Sequence, residues 1–522
     1  MRTLVGRLHA LLLALLVMPV ANAGAIAFDL STATIEDIQQ AMDKGVLSSE
    51  KLVQLYLARI DAYDQRGPKI NSVITLNPNA LAAARALDAE RKSKGARGPL
   101  HGIPVVLKDL YDTKDMPTTG GFLPMKNSQP IYDATVVARL RDAGAVILAK
   151  VNMSDWFGVP KPGDQSTVLG RTLNPYNLDL TPGGSSGGTG AALAAWFAQV
   201  GLGSETGVSI RNPTSNNSLV GLAPSRGLIP RAGQIMTSFT QERCGPMGRS
   251  VYDVAALTDA IAGFDAEDLL TIESPGRTPS QPYTSFLDRN GLRGARIGVF
   301  RDLFRKGAAH AEGIALIEHA IARMKQAGAV IVDPVSTGID LFPLLDETRT
   351  NYYEAQFSYN LYFRRLGPNA PIRNMDELIA KGGDLVKPSI VKGYREFSSL
   401  MHQPDFLARR DTQEMLQQTV IELMDKYRLD ALVNPFKSLP PPPHLERAVE
   451  QDNPLSSVAG LPALLVPAGY TKNENGPIAL EILGRPFSEP TLFRIGYAYE
   501  QLSKNRKNPS SVPPLAGEQF VY

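Results

Sequence analysis

The sequence predicts a single large α/β domain, built on a central mixed, largely parallel sheet flanked by helices. Three observations predict it. Short apolar runs of strand length alternate with longer helical stretches, glycines punctuate the passage from helix to strand, and no linker-like segment divides the 522 residues. Hydrophobic residues make up 43% and charged residues 20%, which is globular usage and excludes a disordered or fibrous chain.

Taken in order, Thr34-x-x-Asp37 opens an amphipathic helix that Gly45 closes. Ser48 or Ser49 caps a second helix with Leu52, Leu55, Tyr56 and Ile60 on one face. A helical stretch from Leu81 to Lys94 precedes the apolar run Ile103 to Leu107, which reads as a buried strand delivering Lys108 and Asp109 where it leaves the sheet. Asp133 to Ala143 is helical, Gly144 ends it, and Ala145 to Ala149 is a second buried strand. A strand at Arg296 to Phe300 is followed by the same helix–glycine–strand order near Ile317 to Val332. The proline tract Pro440 to Pro443 is the sharpest break, and strand-like segments continue beyond it.

The first residues read differently. Arg2 and Arg7 precede the apolar run Leu11 to Val17, and the small-residue site Ala21-Asn22-Ala23 follows. This is the order of a secretory signal peptide, and the run is too short to span a bilayer. The expectation is residues 1–23 as a cleaved signal, a chain beginning at Gly24, no membrane span, and a periplasmic or secreted location. Cleavage removes two arginines and no acid, taking the formal net charge from +2 to zero.

That balance excludes a nucleic-acid partner, which would need clustered positive charge. One cysteine, Cys244, excludes an internal disulfide framework and a cysteine-based metal site, and the six histidines contain no His-x-x-x-His pair. No metal and no cofactor are expected.

The most unusual stretch is Thr181-Pro-Gly-Gly-Ser-Ser-Gly-Gly-Thr-Gly190, directly followed by an Ala-rich helix. Its glycines permit backbone conformations that other residues resist, and a helix N-terminus behind them offers free N–H groups; a flexible linker is the plain alternative. Ser209 lies 24 residues after Ser185, within Ser204-Glu-Thr-Gly-Val-Ser-Ile-Arg211.

Together with the lysine ending the Ile103 run, these segments resemble the amidase signature family. The resemblance rests on Gly102-Ile-Pro-Val-Val-Leu-Lys-Asp109, Gly183-Gly-Ser-Ser-Gly-Gly188 and Gly207-Val-Ser-Ile-Arg211. Matches at Ala149 to Met153, Gly170 to Pro175, Gly245 to Arg249, Gly460 to Ala463, Val466 to Gly469 and Ile482 to Pro486 extend it over nearly the whole chain. It implies an amidase domain over 24–522 with a signature core of about 98–250, and a small-molecule amide substrate whose carbon–nitrogen bond is hydrolysed, esters or carbamates being further options. It also implies that Ser209 is the acyl-forming nucleophile, Ser185 a bridging serine behind a cis Gly184–Ser185 peptide, and Lys108 the base. A serine needs such a base, and a lysine can act as one only when neutral. The backbone N–H groups of Thr206, Gly207, Val208 and Ser209 are implied as the oxyanion hole, with Arg211 bracing the loop against Glu205.

One position departs from the pattern: Val208 stands where the family usually has glycine. A β-branched residue is disfavoured at positive φ, so either the backbone angles are ordinary here or the hole is reshaped.

Competing readings are an α/β-hydrolase esterase using Ser186, because Gly184-x-Ser186-x-Gly188 fits a nucleophile elbow, and an amidase-fold binding protein disabled at Val208. The turn-rich segment before Gly184 argues against the elbow, and the intact Lys108, Ser185 and Ser209 set argues against the second. The glutamine-hydrolysing component of a tRNA-dependent amidotransferase shares the signature, but a signal peptide does not suit cytoplasmic work. Ser48-Ser-Glu-Lys51 fits a penicillin-recognising pattern that helix capping already explains. The aromatic run Tyr352, Tyr353, Phe357, Tyr359, Tyr362 and Phe363 reads mainly as core, with a wall of the substrate site as the functional alternative. Peptide amides, aryl amides, nylon-type oligomers and carbamates all stay open. The sequence sets no oligomeric state, a homodimer being one option.

Overall fold

A computed structural model of the chain describes residues 26–158, 165–396, 403–444, 453–472 and 476–522. The segment read as a signal peptide lies outside the described residues. Among those described, no helix is long and apolar enough to cross a membrane.

The core is an 11-stranded mixed sheet flanked by helices. The strands Pro104–Lys108, Val146–Val151 and Val200–Glu205 run parallel to one another, with Pro104–Lys108 in the middle. At the far end Arg296–Phe300 pairs in parallel with both Val330–Val335 and Ala431–Pro435. Between these groups Arg243–Gly248, Val220–Ala223, Ala463–Tyr470 and Pro477–Leu483 join by antiparallel ladders. Parallel pairing is therefore confined to the two flanks, and antiparallel pairing is more extensive than helix–strand alternation implies. Arg243–Gly248 holds two glycines and a proline in six residues and is buried throughout, so no side-chain period marks it as a strand.

The near-continuous apolar strands are buried on both faces because helices cover each side. Thr34 caps Ile35–Asp43 in a full capping box with Asp37, and Ser48 caps Ser49–Tyr63 by accepting from the amide of Lys51. Gly144 turns at φ +82°, where the Thr135–Asp142 helix hands over to its strand. The Ala-rich helix Gly187–Ala194 is wholly buried against Pro104–Lys108 and Val200–Glu205. Its small residues let it sit that deep: a Cβ on Gly188 would lie 2.2 Å from the carbonyl oxygen of Asn152.

The two ends of the described chain meet. Ala27–Asp29 pairs antiparallel with Gln519–Val521, Phe28 stacks on Phe520 at 4.7 Å, and buried Arg59 pairs with Glu518 at 2.9 Å.

Candidate active site

Lys108 is the last residue of its strand and is fully buried. Its Nζ donates to Ser185 Oγ at 2.7 Å and to Ser204 Oγ at 3.0 Å, and lies 5.2 Å from the centre of the Trp156 ring. The second lysine of the region, Lys150, is also buried but is spoken for: it pairs with Asp109 at 2.9 Å and donates to Thr118 Oγ1 at 2.9 Å.

Ser185 is brought to Lys108 by the Gly-rich segment, which is a tightly built turn and not a linker. The Gly184–Ser185 peptide is cis. Gly183 holds φ +77°, and a Cβ there would meet the side chains of Asn212 and Asn216. The amide of Ser154 donates to the Ser185 carbonyl at 3.0 Å, and that of Gly188 to the Asn152 carbonyl at 3.0 Å. Ser186 points the other way. Its buried hydroxyl donates to the Ser204 carbonyl and accepts from the Ser204 amide, both at 3.2 Å, and no strand leads into the turn. The elbow assignment therefore fails on geometry.

Ser209 sits in the bend between the Val200–Glu205 strand and the Arg211–Asn216 helix. Thr206, Gly207, Val208 and Ser209 are half-buried, and none of their four amides donates to a partner among the described residues. The next two amides, of Ile210 and Arg211, are held by the Glu205 carboxylate at 3.1 and 3.0 Å. Glu205 also takes Arg211 Nε at 2.9 Å and Arg243 Nη2 at 2.6 Å, and Arg211 reaches on to Glu481 at 3.0 Å and to the Gly207 carbonyl at 2.9 Å. Burial alone would raise the Glu205 carboxyl, but the Arg211 and Arg243 guanidinia outweigh it and hold it below the usual carboxylate range. Arg211 thus braces the loop, with Glu205 as its partner.

Val208 is not among the residues at positive φ, so the ordinary-angle alternative holds. Its side chain packs against Phe436, Leu465 and Ala479.

Four further residues shape this region without having been singled out from sequence. Ser204 shares Lys108 with Ser185. Trp156 covers the amine. Glu242, fully buried, receives hydrogen bonds from Thr206 Oγ1, from Gln234 Nε2 at 3.1 Å and from Thr237 Oγ1 at 3.2 Å. Burial raises its carboxyl, against the pull of the Thr206 hydroxyl and of Lys108. Arg349 stands beside Gly207. The usable signals were a serine ending an apolar strand, a tryptophan in the turn after one, and a carboxylate three residues before Gly245-Pro246; nothing local marked Arg349.

The aromatic helix Asn351–Arg365 packs over this region. Tyr359, Tyr362 and Phe363 are buried, whereas Tyr352 and Phe357 are exposed. Tyr359 meets Phe157 edge-on at 4.8 Å, beside the turn that carries Trp156. Tyr362 donates to Asp112 at 2.8 Å.

A deep sheet delivering a lysine to a serine-bearing, glycine-lined turn, beside a second serine in a loop of unused amides, is an arrangement that suits a hydrolase of the serine type. Comparison with known proteins takes this further. The Amidase family model matches residues 51–493. A probable amidase of Arabidopsis thaliana is 33% identical over 521 residues, covering 95% of this chain and 96% of its own. A glutamyl-tRNA(Gln) amidotransferase component of Geobacter metallireducens is 34% identical over 498 residues, covering 91% and 97%. The crystal structure of the peptide amidase from Stenotrophomonas maltophilia superposes with a TM-score of 0.83 at 37% identity, covering 92% of this chain and 98% of that one. The chain belongs to the amidase signature family and is an amidohydrolase.

Proposed function

We propose that this enzyme hydrolyses peptide amides through an acyl-enzyme on Ser209, and that it does so outside the cytoplasm. The observation that carries the mechanism is the buried 2.7 Å contact of Lys108 Nζ with Ser185 Oγ. In the neutral form the amine accepts the Ser185 proton while Ser185 takes that of Ser209, since a hydroxyl both donates and accepts. Ser209 Oγ then attacks the amide carbonyl, and the charge developing on the carbonyl oxygen meets the free amides of Thr206 to Ser209. The same relay returns the proton to the leaving amine and next activates water to release the acid.

Peptide amides are favoured by the likeness to the Stenotrophomonas peptide amidase over nearly the full chain. The apolar surface of Trp156, with the aromatic helix behind it, suits such an acyl group. Export is supported by the segment from Arg2 to Ala23.

The test is a serine-directed fluorophosphonate with mapping of the modified peptide. Label on Ser209, lost in Ser209→Ala and slowed in Ser185→Ala, is the expected result. Label on Ser186, or turnover that survives in Ser209→Ala, overturns the mechanism. Amino-terminal sequencing of exported protein should begin at Gly24, and an intact Met1 on cytosolic material would refute export.

A further inference from the structure

The Arg349 guanidinium lies against the nucleophile loop at Gly207. A side chain on Gly207 would begin 3.7 Å from its Cζ and Nη1 and 3.9 Å from its Nη2. Gly207 lies within the run of free amides, so this cation borders the place where an acyl carbonyl would sit.

Its charge is poorly matched. Arg211 and Arg243 are answered by Glu205 and Glu481, and Arg231 by Asp268 at 2.8 Å. Arg349 has Asp346 at 3.8 Å, and that carboxylate is 71% exposed, where water screens the attraction. The Nε of Arg349 is buried with no hydrogen-bond partner among the described residues. A buried N–H without an acceptor is unfavourable, and a ligand oxygen would relieve it.

Its position is nevertheless fixed from the backbone. Gln241 accepts from the Thr350 amide at 2.6 Å and the Thr350 hydroxyl at 2.8 Å, and its Nε2 donates to the Thr206 carbonyl at 3.3 Å. One side chain therefore ties the segment carrying Arg349 to the start of the nucleophile loop. Arg409 adds a hydrogen bond to the Arg349 carbonyl at 3.3 Å. With its backbone held, its side chain 35% exposed and one screened partner, the Arg349 guanidinium offers a planar fork for a carboxylate.

We propose that Arg349 is a specificity-determining residue that selects amides whose acyl part carries a carboxylate, as in a peptide amide ending in glutamate or aspartate. This rests on the peptide-amide reading above. The terminal side chain would pass Gly207 while the scissile carbonyl lies over the free amides.

The experiment compares N-acetyl-Ala-Glu amide with N-acetyl-Ala-Met amide by ammonia release at fixed ionic strength. A charge-assisted hydrogen bond makes the expected preference of the wild type for the glutamate amide about tenfold to a hundredfold in kcat/KM. In Arg349→Gln that ratio should fall to near one, mainly through a raised KM for the glutamate amide, and Arg349→Lys should restore part of it. Using the ratio removes any general loss of folding or chemistry from the readout. A wild-type ratio near one, or an unchanged ratio in Arg349→Gln, overturns the proposal. If neither amide is turned over, the peptide-amide reading fails, and calorimetry on Ser209→Ala decides the remainder. Tighter binding of the glutamate amide that Arg349→Gln removes would uphold the role of Arg349, and equal binding of both would end it.

Discussion

Glu205→Gln tests how the nucleophile loop is held. The Glu205 carboxylate is fully buried at the end of its strand and accepts from the amides of Ile210 and Arg211, from Arg211 Nε and from Arg243 Nη2. Glutamine keeps the shape, removes the charge and adds a donor where only donors point. Removing one partner of a buried ion pair costs about 3–5 kcal/mol. Arg211 retains Glu481 at 3.0 Å, so we expect the lower end, about 3 kcal/mol, in denaturant unfolding. The loss should be pH-dependent. Glu205 is held below the usual carboxylate range, so its contribution is present above the unfolded value and is lost as pH falls through the folded one. The variant should lack that acid limb. A misplacement of about 1 Å in the loop would lower kcat about 100-fold. In a double-mutant cycle with Arg243→Met, coupling of about 2 kcal/mol is expected, because the two side chains touch. A variant within about 1 kcal/mol of wild type, with an additive cycle and unchanged kcat, would refute the reasoning.

Three other perturbations have defined outcomes. Burial pushes the Asp112 carboxyl from 3.8 up to about 7, so the folded state binds this proton more tightly than the unfolded chain and stability falls as pH rises between those values. Asp112→Asn should flatten that decline, worth up to about 4 kcal/mol, in unfolding midpoints followed across the range. Val208→Gly should lose about 1–3 kcal/mol, since it vacates the contact with Phe436, Leu465 and Ala479 and loosens the backbone; a large fall in kcat with no loss of stability would instead put this side chain in the path of the substrate. Lys108→Met should keep its melting behaviour and lose about 10²–10⁴ in turnover, and Lys108→Arg should not recover it because arginine stays protonated. Substantial amide turnover in Lys108→Arg would discard the lysine as base.

What could be read from sequence follows from what is local. The strands ending at Lys108 and Val151 were legible because burial on both faces leaves an unbroken apolar run, and Thr34, Ser48 and Gly144 marked helix ends through chemistry confined to a few residues. The antiparallel middle of the sheet was not legible. Residues 243–248 and 220–223 carry no side-chain alternation, and 220–223 also pairs with 463–465 in the other half of the chain. The same division holds at the site. Lys108, Ser185, Ser209 and the Glu205–Arg211 pair sit in compact motifs. Ser204 reaches Lys108 only when strands 96 residues apart align, Glu242 is placed by the fold of the loop before its strand and by Thr206, and Arg349 reaches Gly207 from 142 residues away along the chain.

The pairing of Ala27–Asp29 with Gln519–Val521 bears on how the protein comes to be folded at all. Arg59 lies buried against Trp196, its guanidinium 3.8 Å from the ring centre, and the carboxylate that answers it belongs to Glu518. Without Glu518 that buried charge has no carboxylate counterpart among the described residues, and without Gln519–Val521 the strand Ala27–Asp29 has no neighbour. Ordering the helix that carries Arg59 without Glu518 would leave a buried cation with only carbonyl partners such as those of Ala195 and Val512. A contact of such high sequence separation carries a large loop-closure cost and is slow to form. A fold whose two most separated segments hold each other in this way is complete only when residues 27–29, 59 and 518–521 are all in place together.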